Sequence, residues 1–96
     1  MLGMIIQAKH QLSFWRTRAG LEVDFIVYGA TNFWAIEVKN THKIYNKDFK
    51  GLNTFLSDYP MAQGFLLHRG KDEWQEGKIH CMPCDKFLRE MLLVDD

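Results

Sequence analysis

The feature that most constrains this chain is a charge in the middle of an apolar strand. Leu21–Tyr28 alternates as a strand, with Val23, Phe25 and Val27 on one face and Glu22, Asp24 and Ile26 on the other. The next run, Phe33–Asn40, alternates as well: Trp34, Ile36 and Val38 face one way, Ala35, Glu37 and Lys39 the other. Gly29-Ala30-Thr31-Asn32 joins them with a connection of hairpin length. An ion in a strand interior is costly unless it is paired or metal-bound. A hairpin that sets Asp24 beside Glu37 and Lys39 meets that cost by gathering two carboxylates and one ammonium on one sheet face.

Such a cluster suits phosphodiester hydrolysis. Two carboxylates offer oxygen ligands to a hard divalent cation, Mg²⁺ or Mn²⁺. The cation polarises the phosphate and acidifies a bound water. Lys39 orients or helps deprotonate that water and screens developing negative charge. The competing interpretation is a cross-strand ion pair on a half-solvated face, and spacing alone does not separate the two.

The rest of the chain supplies a frame for this hairpin. Leu12–Thr17 is a strand that enters it through the turn Arg18-Ala19-Gly20. Asn46-Lys47-Asp48 caps a helix running to about residue 56 or 58, with Phe49, Leu52, Phe55 and Leu56 as its apolar stripe. Pro60 stops that helix. Gly64–His68 is a short buried strand, Arg69–Gly77 a polar loop and Lys78–Met82 a further strand. Pro83–Val94 is a terminal helix with Phe87, Leu88, Met91 and Leu92 on one face. The expected order is β-β-β-α-β-β-α, an α/β domain on a mixed sheet over residues 12–96. Residues 1–11 are assigned as a leader or a helix remnant.

Composition narrows the function classes. At 96 residues one domain fits and two do not. No apolar run reaches membrane-spanning length, so a membrane partner is not expected. No phosphate-binding G-x-x-x-x-G-K-[ST] loop occurs. The neutral total conceals an asymmetry. Residues 1–50 carry seven basic and four acidic side chains, residues 51–96 five and eight. A basic half can face a polyanion although the sum is zero. The candidate phosphate contacts are Arg16 and Arg18 beside the Gly20 turn, with Lys43, Lys47 and Lys50 after the E-x-K strand.

Asp24, followed by a turn and then Glu37-Val38-Lys39, resembles the D…E-x-K signature of the PD-(D/E)XK superfamily, which includes restriction endonucleases and Holliday-junction resolvases. Phe14-Trp15-Arg16-Thr17, Gly20–Phe25, Ile36–Lys39 and Gly51-Leu52 resemble more closely the domain of unknown function at the C-terminus of many bacterial and archaeal AAA-type ATPases. Met82-Pro83 followed by Phe87-Leu88 is similar to that family's ending. The resemblance covers about residues 12–90. It implies a restriction-endonuclease-like fold, with Asp24 and Glu37 as metal ligands, Lys39 as catalytic lysine and Glu22 as an additional acid. It also implies a leading helix and an ATPase module that this sequence lacks.

Cys81-Met-Pro-Cys84 is a lone C-x-x-C, half of a zinc site at best, and zinc is disfavoured. With no signal peptide, both thiols are expected reduced in the cytoplasm. Two functions follow as expectations. One is a Mg²⁺-dependent nuclease-like domain acting on DNA, active or degenerate. The other is a non-catalytic interaction or regulatory domain of an AAA-type ATPase, self-associating through an uncovered sheet face.

Overall fold

The computed structural model describes residues 3–9, 12–29 and 32–92. They form a mixed seven-stranded sheet with a helix on each face. The strands are β1 (Gly3–Lys9), β2 (Leu12–Thr17), β3 (Glu22–Tyr28), β4 (Phe33–Val38), β5 (Gln63–His68), β6 (Trp74–Glu76) and β7 (Ile79–Pro83). Their spatial order is β1-β2-β3-β4-β5-β7-β6. Strands β1 to β4 form an antiparallel meander; β5 then joins β4 in parallel, and β7 joins β5 in parallel. The crossover from β4 to β5 is carried by a 3₁₀ turn, Asn46–Phe49, that runs into helix α1 (Lys50–Asp58). The α/β class and the mixed sheet agree with the sequence reading. Among the described residues no helix is long and apolar enough to cross a membrane.

Three local assignments change. Residues 3–9, read as a leader or helix remnant, pair along β2, with Ile5 opposite Trp15 and Ile6 opposite Phe14. A run containing paired isoleucines favours extended backbone, and it extends the meander outward. Trp74–Glu76, placed in a polar loop, is a three-residue strand on the far edge, antiparallel to β7. The terminal helix is α only over Cys84–Phe87 (α2) and continues as a π turn over Leu88–Leu92. Its expected end at Val94, like Ala30-Thr31 of the hairpin turn, lies outside the described residues.

The two sheet faces bury different cores. Helix α1 covers one face, where Trp15, Val23, Ile26, Leu52, Phe55 and Leu66 pack together. Phe55 meets Trp15 edge-on at 5.4 Å and Phe33 at 5.9 Å. Helix α2 covers the other face near β4, β5 and β7, over Trp34, Ile36, Phe65, Leu67 and Met82. Strand β5 is buried from Gly64 to His68, as a central parallel strand covered on both faces must be.

One irregularity in β3 positions everything that follows. Ser13 pairs with Ile26 and Trp15 with Val23, so two steps of β2 span three of β3. That extra residue is a β-bulge, and it resets the alternation. Val23 and Ile26 consequently share the α1-side core. Beyond the bulge the register with β4 is regular, Phe25 opposite Ile36 and Ile26 opposite Ala35. Val23, expected on the face of Phe25 and Val27, is thereby turned to the face of Asp24.

Candidate functional site

The site forms where β3 enters and β4 leaves the sheet. Gly20, at φ +92°, makes the turn between β2 and β3. Buried Thr17 locks it: its Oγ1 accepts the Leu21 N–H at 3.2 Å and its carbonyl accepts the Gly20 N–H at 3.1 Å. The chain then runs through Glu22 into the bulge. From the opposite side the first turn of α1 closes in, because Gly51 lacks a Cβ. A methyl there would lie 2.3 Å from the Glu22 carbonyl oxygen.

Asp24 and Glu37 meet by reciprocal bonds across the hairpin. The Asp24 N–H donates to Glu37 Oε1 at 3.2 Å, and the Val38 N–H donates to Asp24 Oδ2 at 3.0 Å. Lys39 Nζ lies 3.3 Å from Glu37 Oε2 and 3.9 Å from Asp48 Oδ1. Burial raises the Glu37 carboxyl above its ordinary value, and the negative charge of Asp24 raises it further. Lys39 opposes both effects through its charge and its hydrogen bond. The three residues expected to gather are therefore gathered.

Glu37 and Lys39 border a cleft of about 280 Å³, walled also by Glu22, Asp48, Lys47 and Lys50, and Asp24 stands behind Glu37, outside the cleft wall. Asp48 is the residue the sequence reading missed as part of the site. Its Oδ2 accepts the Tyr45 N–H at 2.8 Å, the helix-capping role its position announces. Its other oxygen faces Lys39. Only the helix-entry pattern was visible in sequence, and nothing there tied Asp48 to a strand residue nine positions earlier.

Other sequence candidates are placed differently. Lys47 and Lys50 line the cleft. Arg16 does not: it lies between buried Trp15 and Thr17 on β2, so it points to the opposite face, 5.6 Å above the Phe14 ring. Arg18 sits exposed in the turn, outside the cleft wall. Lys43 rests 5.6 Å from the Tyr45 ring, likewise away from the cleft wall. Glu22 was expected on Asp24's face. It lines the cleft beside Glu37 and Lys39, and in the β2–β3 register it pairs with Arg16 across the bulge. It makes no ion pair or hydrogen bond with Asp24, Glu37 or Lys39 among the described residues.

The donor set fits a hard divalent cation. Two half-buried carboxylates repel each other here, and repulsion of this kind is relieved by a shared cation. Among the described residues no three His, Cys, Asp or Glu side chains converge as a metal centre. Two protein carboxylates leave the remaining positions to water and phosphate oxygens, the arrangement Mg²⁺ commonly takes. The C-x-x-C pair does not act together. Cys81 is in the α1-side core, whereas Cys84 packs against the α2-side core. Burial pushes the Cys81 thiol up to about 12, far from a reactive thiolate.

A family model described as "Domain of unknown function (DUF4143)" matches residues 3–87, from β1 to the end of α2. No curated protein and no solved structure matches the chain.

Proposed function

Since the chain belongs to the DUF4143 family, whose description assigns no activity, its function has to be read from the cleft, and we propose that it is a Mg²⁺-dependent phosphodiesterase domain of the PD-(D/E)XK kind acting on DNA. The observation that carries this reading is the reciprocal bonding of Asp24 and Glu37, with Lys39 on the free edge of Glu37. Asp24 and Glu37 would hold the cation. When bound, it supplies Lewis-acid polarisation of a phosphoryl oxygen. The Lys39 ammonium, a third exposed, reaches the cleft as a fixed positive charge for the pentavalent phosphate and as an orienting donor for the attacking water. Asp48 limits where that ammonium can swing. Lys47 and Lys50 add positive charge at the mouth for the flanking phosphates.

The antiparallel meander followed by a helix and a parallel strand also supports the superfamily assignment. The resemblance of Phe14–Thr17, Gly20–Phe25 and Ile36–Lys39 adds to the proposal that the domain stands at the C-terminus of an AAA-type ATPase. Calorimetric titration of Mg²⁺ or Mn²⁺ tests the phosphodiesterase reading. Wild type should bind, and Asp24→Asn and Glu37→Gln should lose both that heat and Mg²⁺-stimulated DNA cleavage. A wild-type protein with neither heat nor cleavage sinks the proposal.

One observation favours a second reading, a non-catalytic docking domain. On the α2 side of the meander, Phe25 (43% exposed) and Val38 (37%) lie uncovered, and Leu88 at the rim of the π turn is 43% exposed. That face takes a partner or a second copy of this chain.

A further inference from the structure

A second concave surface lies at the same end of the sheet, across its rim from the cleft. It is a groove of about 560 Å³ at the C-terminal ends of β5 and β7. Crevices beyond the carboxyl ends of parallel strands are the usual ligand positions of open α/β sheets. One wall is the loop His68-Arg69-Gly70-Lys71; the other is Cys84, Lys86 and Arg89. Four of these side chains are cationic, and Asp85 is the one carboxylate in the lining.

The loop is held in shape. Gly70 N–H donates to His68 Nδ1 at 2.9 Å, which leaves the proton of the neutral ring on Nε2. His68 is 2% exposed and stacks on Trp74 at 5.5 Å, and its Nε2 finds no partner among the described residues. Arg69 N–H donates to the Thr41 carbonyl at 2.8 Å. At Gly70 there is little room for a side chain, since a Cβ would come within 3.2 Å of the His42 carbonyl oxygen and of His68 Nδ1.

The cations on the two walls are not equally free. Arg89 pairs with Asp85 at 3.1 Å, and Lys86 pairs with Glu73. Arg69 is bonded only to a neutral amide, Asn40 Oδ1 at 3.0 Å, and Lys71 has no carboxylate within ion-pair reach among the described residues. The Asn40 contact matters for direction: Asn40 follows Lys39 in the chain, so Arg69 is tied to the tip of the strand that carries the candidate catalytic lysine. Lys39 N–H in turn donates to the Leu67 carbonyl, two residues before Arg69.

We propose that the Arg69–Lys71 groove is a second backbone-binding site for the nucleic acid whose scissile phosphodiester occupies the Glu37–Lys39 cleft. This rests on the phosphodiesterase reading above. The acceptor it calls for is the phosphate of a strand that crosses the sheet rim, because the loop offers two uncompensated cations and no base-reading carboxylate or amide of its own. Contacts of this type confer affinity and salt dependence without sequence preference.

The test is fluorescence anisotropy of the full chain with a short labelled duplex and its single strand, in EDTA so that binding is read without cleavage. Arg69→Ala/Lys71→Ala should weaken binding about tenfold and flatten log K against log salt by about 1–2, as expected when one or two phosphate contacts are lost. Lys71→Glu, on an exposed side chain with no hydrogen bond or ion pair among the described residues, should weaken it as well, while Lys78→Ala, at the opposite end of β7 beside the Pro60 carbonyl, should stay near wild type. If wild type binds and the two groove variants match it in affinity and slope, the groove assignment falls and the cleft reading stands. If wild type binds neither oligonucleotide, both fall.

Discussion

Glu37 shows how a single carboxylate can be destabilised and still be well placed. Its raised proton affinity has burial as the first cause and Asp24 as the second. A carboxyl whose folded pKa lies above its unfolded value adds stability that is full below the unfolded pKa and is lost as the pH rises through the folded one. At neutral pH the ionised side chain is therefore a net strain on the metal-free fold. Glu37→Gln keeps the acceptor for the Asp24 N–H and removes the charge. In EDTA it should melt above wild type at pH 7, and the gap should shrink as pH falls through the carboxylate range. Equal melting temperatures at pH 7 would show that Lys39 already compensates the charge in full. The pair was legible in the sequence because charges inside an apolar alternation are rare. Asp48 was not, because its capping position explained it completely.

At the level of elements, the cleft depends on how closely α1 approaches the start of β3. Gly51 is the contact point, with the Glu22 carbonyl where a Cβ would be. Gly51→Ala must push the helix or the strand aside, and an overpacked backbone contact of this kind costs about 1–3 kcal/mol. Denaturant melts should show that loss, and Lys39 should drift from Asp48, since Asp48 rides on the same helix entry. A melt indistinguishable from wild type would mean the helix entry yields freely. The strands β2 to β5 were readable from period-two alternation and from the Phe65-Leu66-Leu67 run. Strand β6 was not, since Trp74-Gln75-Glu76 is too short to show a period and is polar on two of three positions. Strand β1 was obscured by its position: a short apolar segment with no turn signal on one side resembles a leader as much as a strand.

The whole molecule is covered unevenly. Helix α1 spans β3 to β5 on its side, but α2 sits over β5, β7 and the Trp34–Ile36 stretch of β4 and leaves the rest of that face to Phe14, Phe25 and Val38. Solution scattering checks what that face does. Concentration-dependent self-association that Phe25→Asp abolishes would assign it to a second copy, whereas a monomer at high concentration would direct the search to a different partner. The basic half of the sequence turns out to be divided in space. Lys47 and Lys50 join the cleft, while Arg16 lies on the far side, a separation that charge counting along the chain could not resolve.

The bulge in β3 has a consequence for how such a site can be lost. Point substitutions around it leave the chain path in place. Removing one residue between Val23 and Ile26 would instead straighten the strand, restore a perfect pairing with β2 and swing Asp24 away from Glu37. The more regular hairpin would hold no paired carboxylates. The pairing of Asp24 with Glu37 therefore depends as much on the length of one strand as on the identity of its acids, and the residue count between Val23 and Ile26 is what sets it.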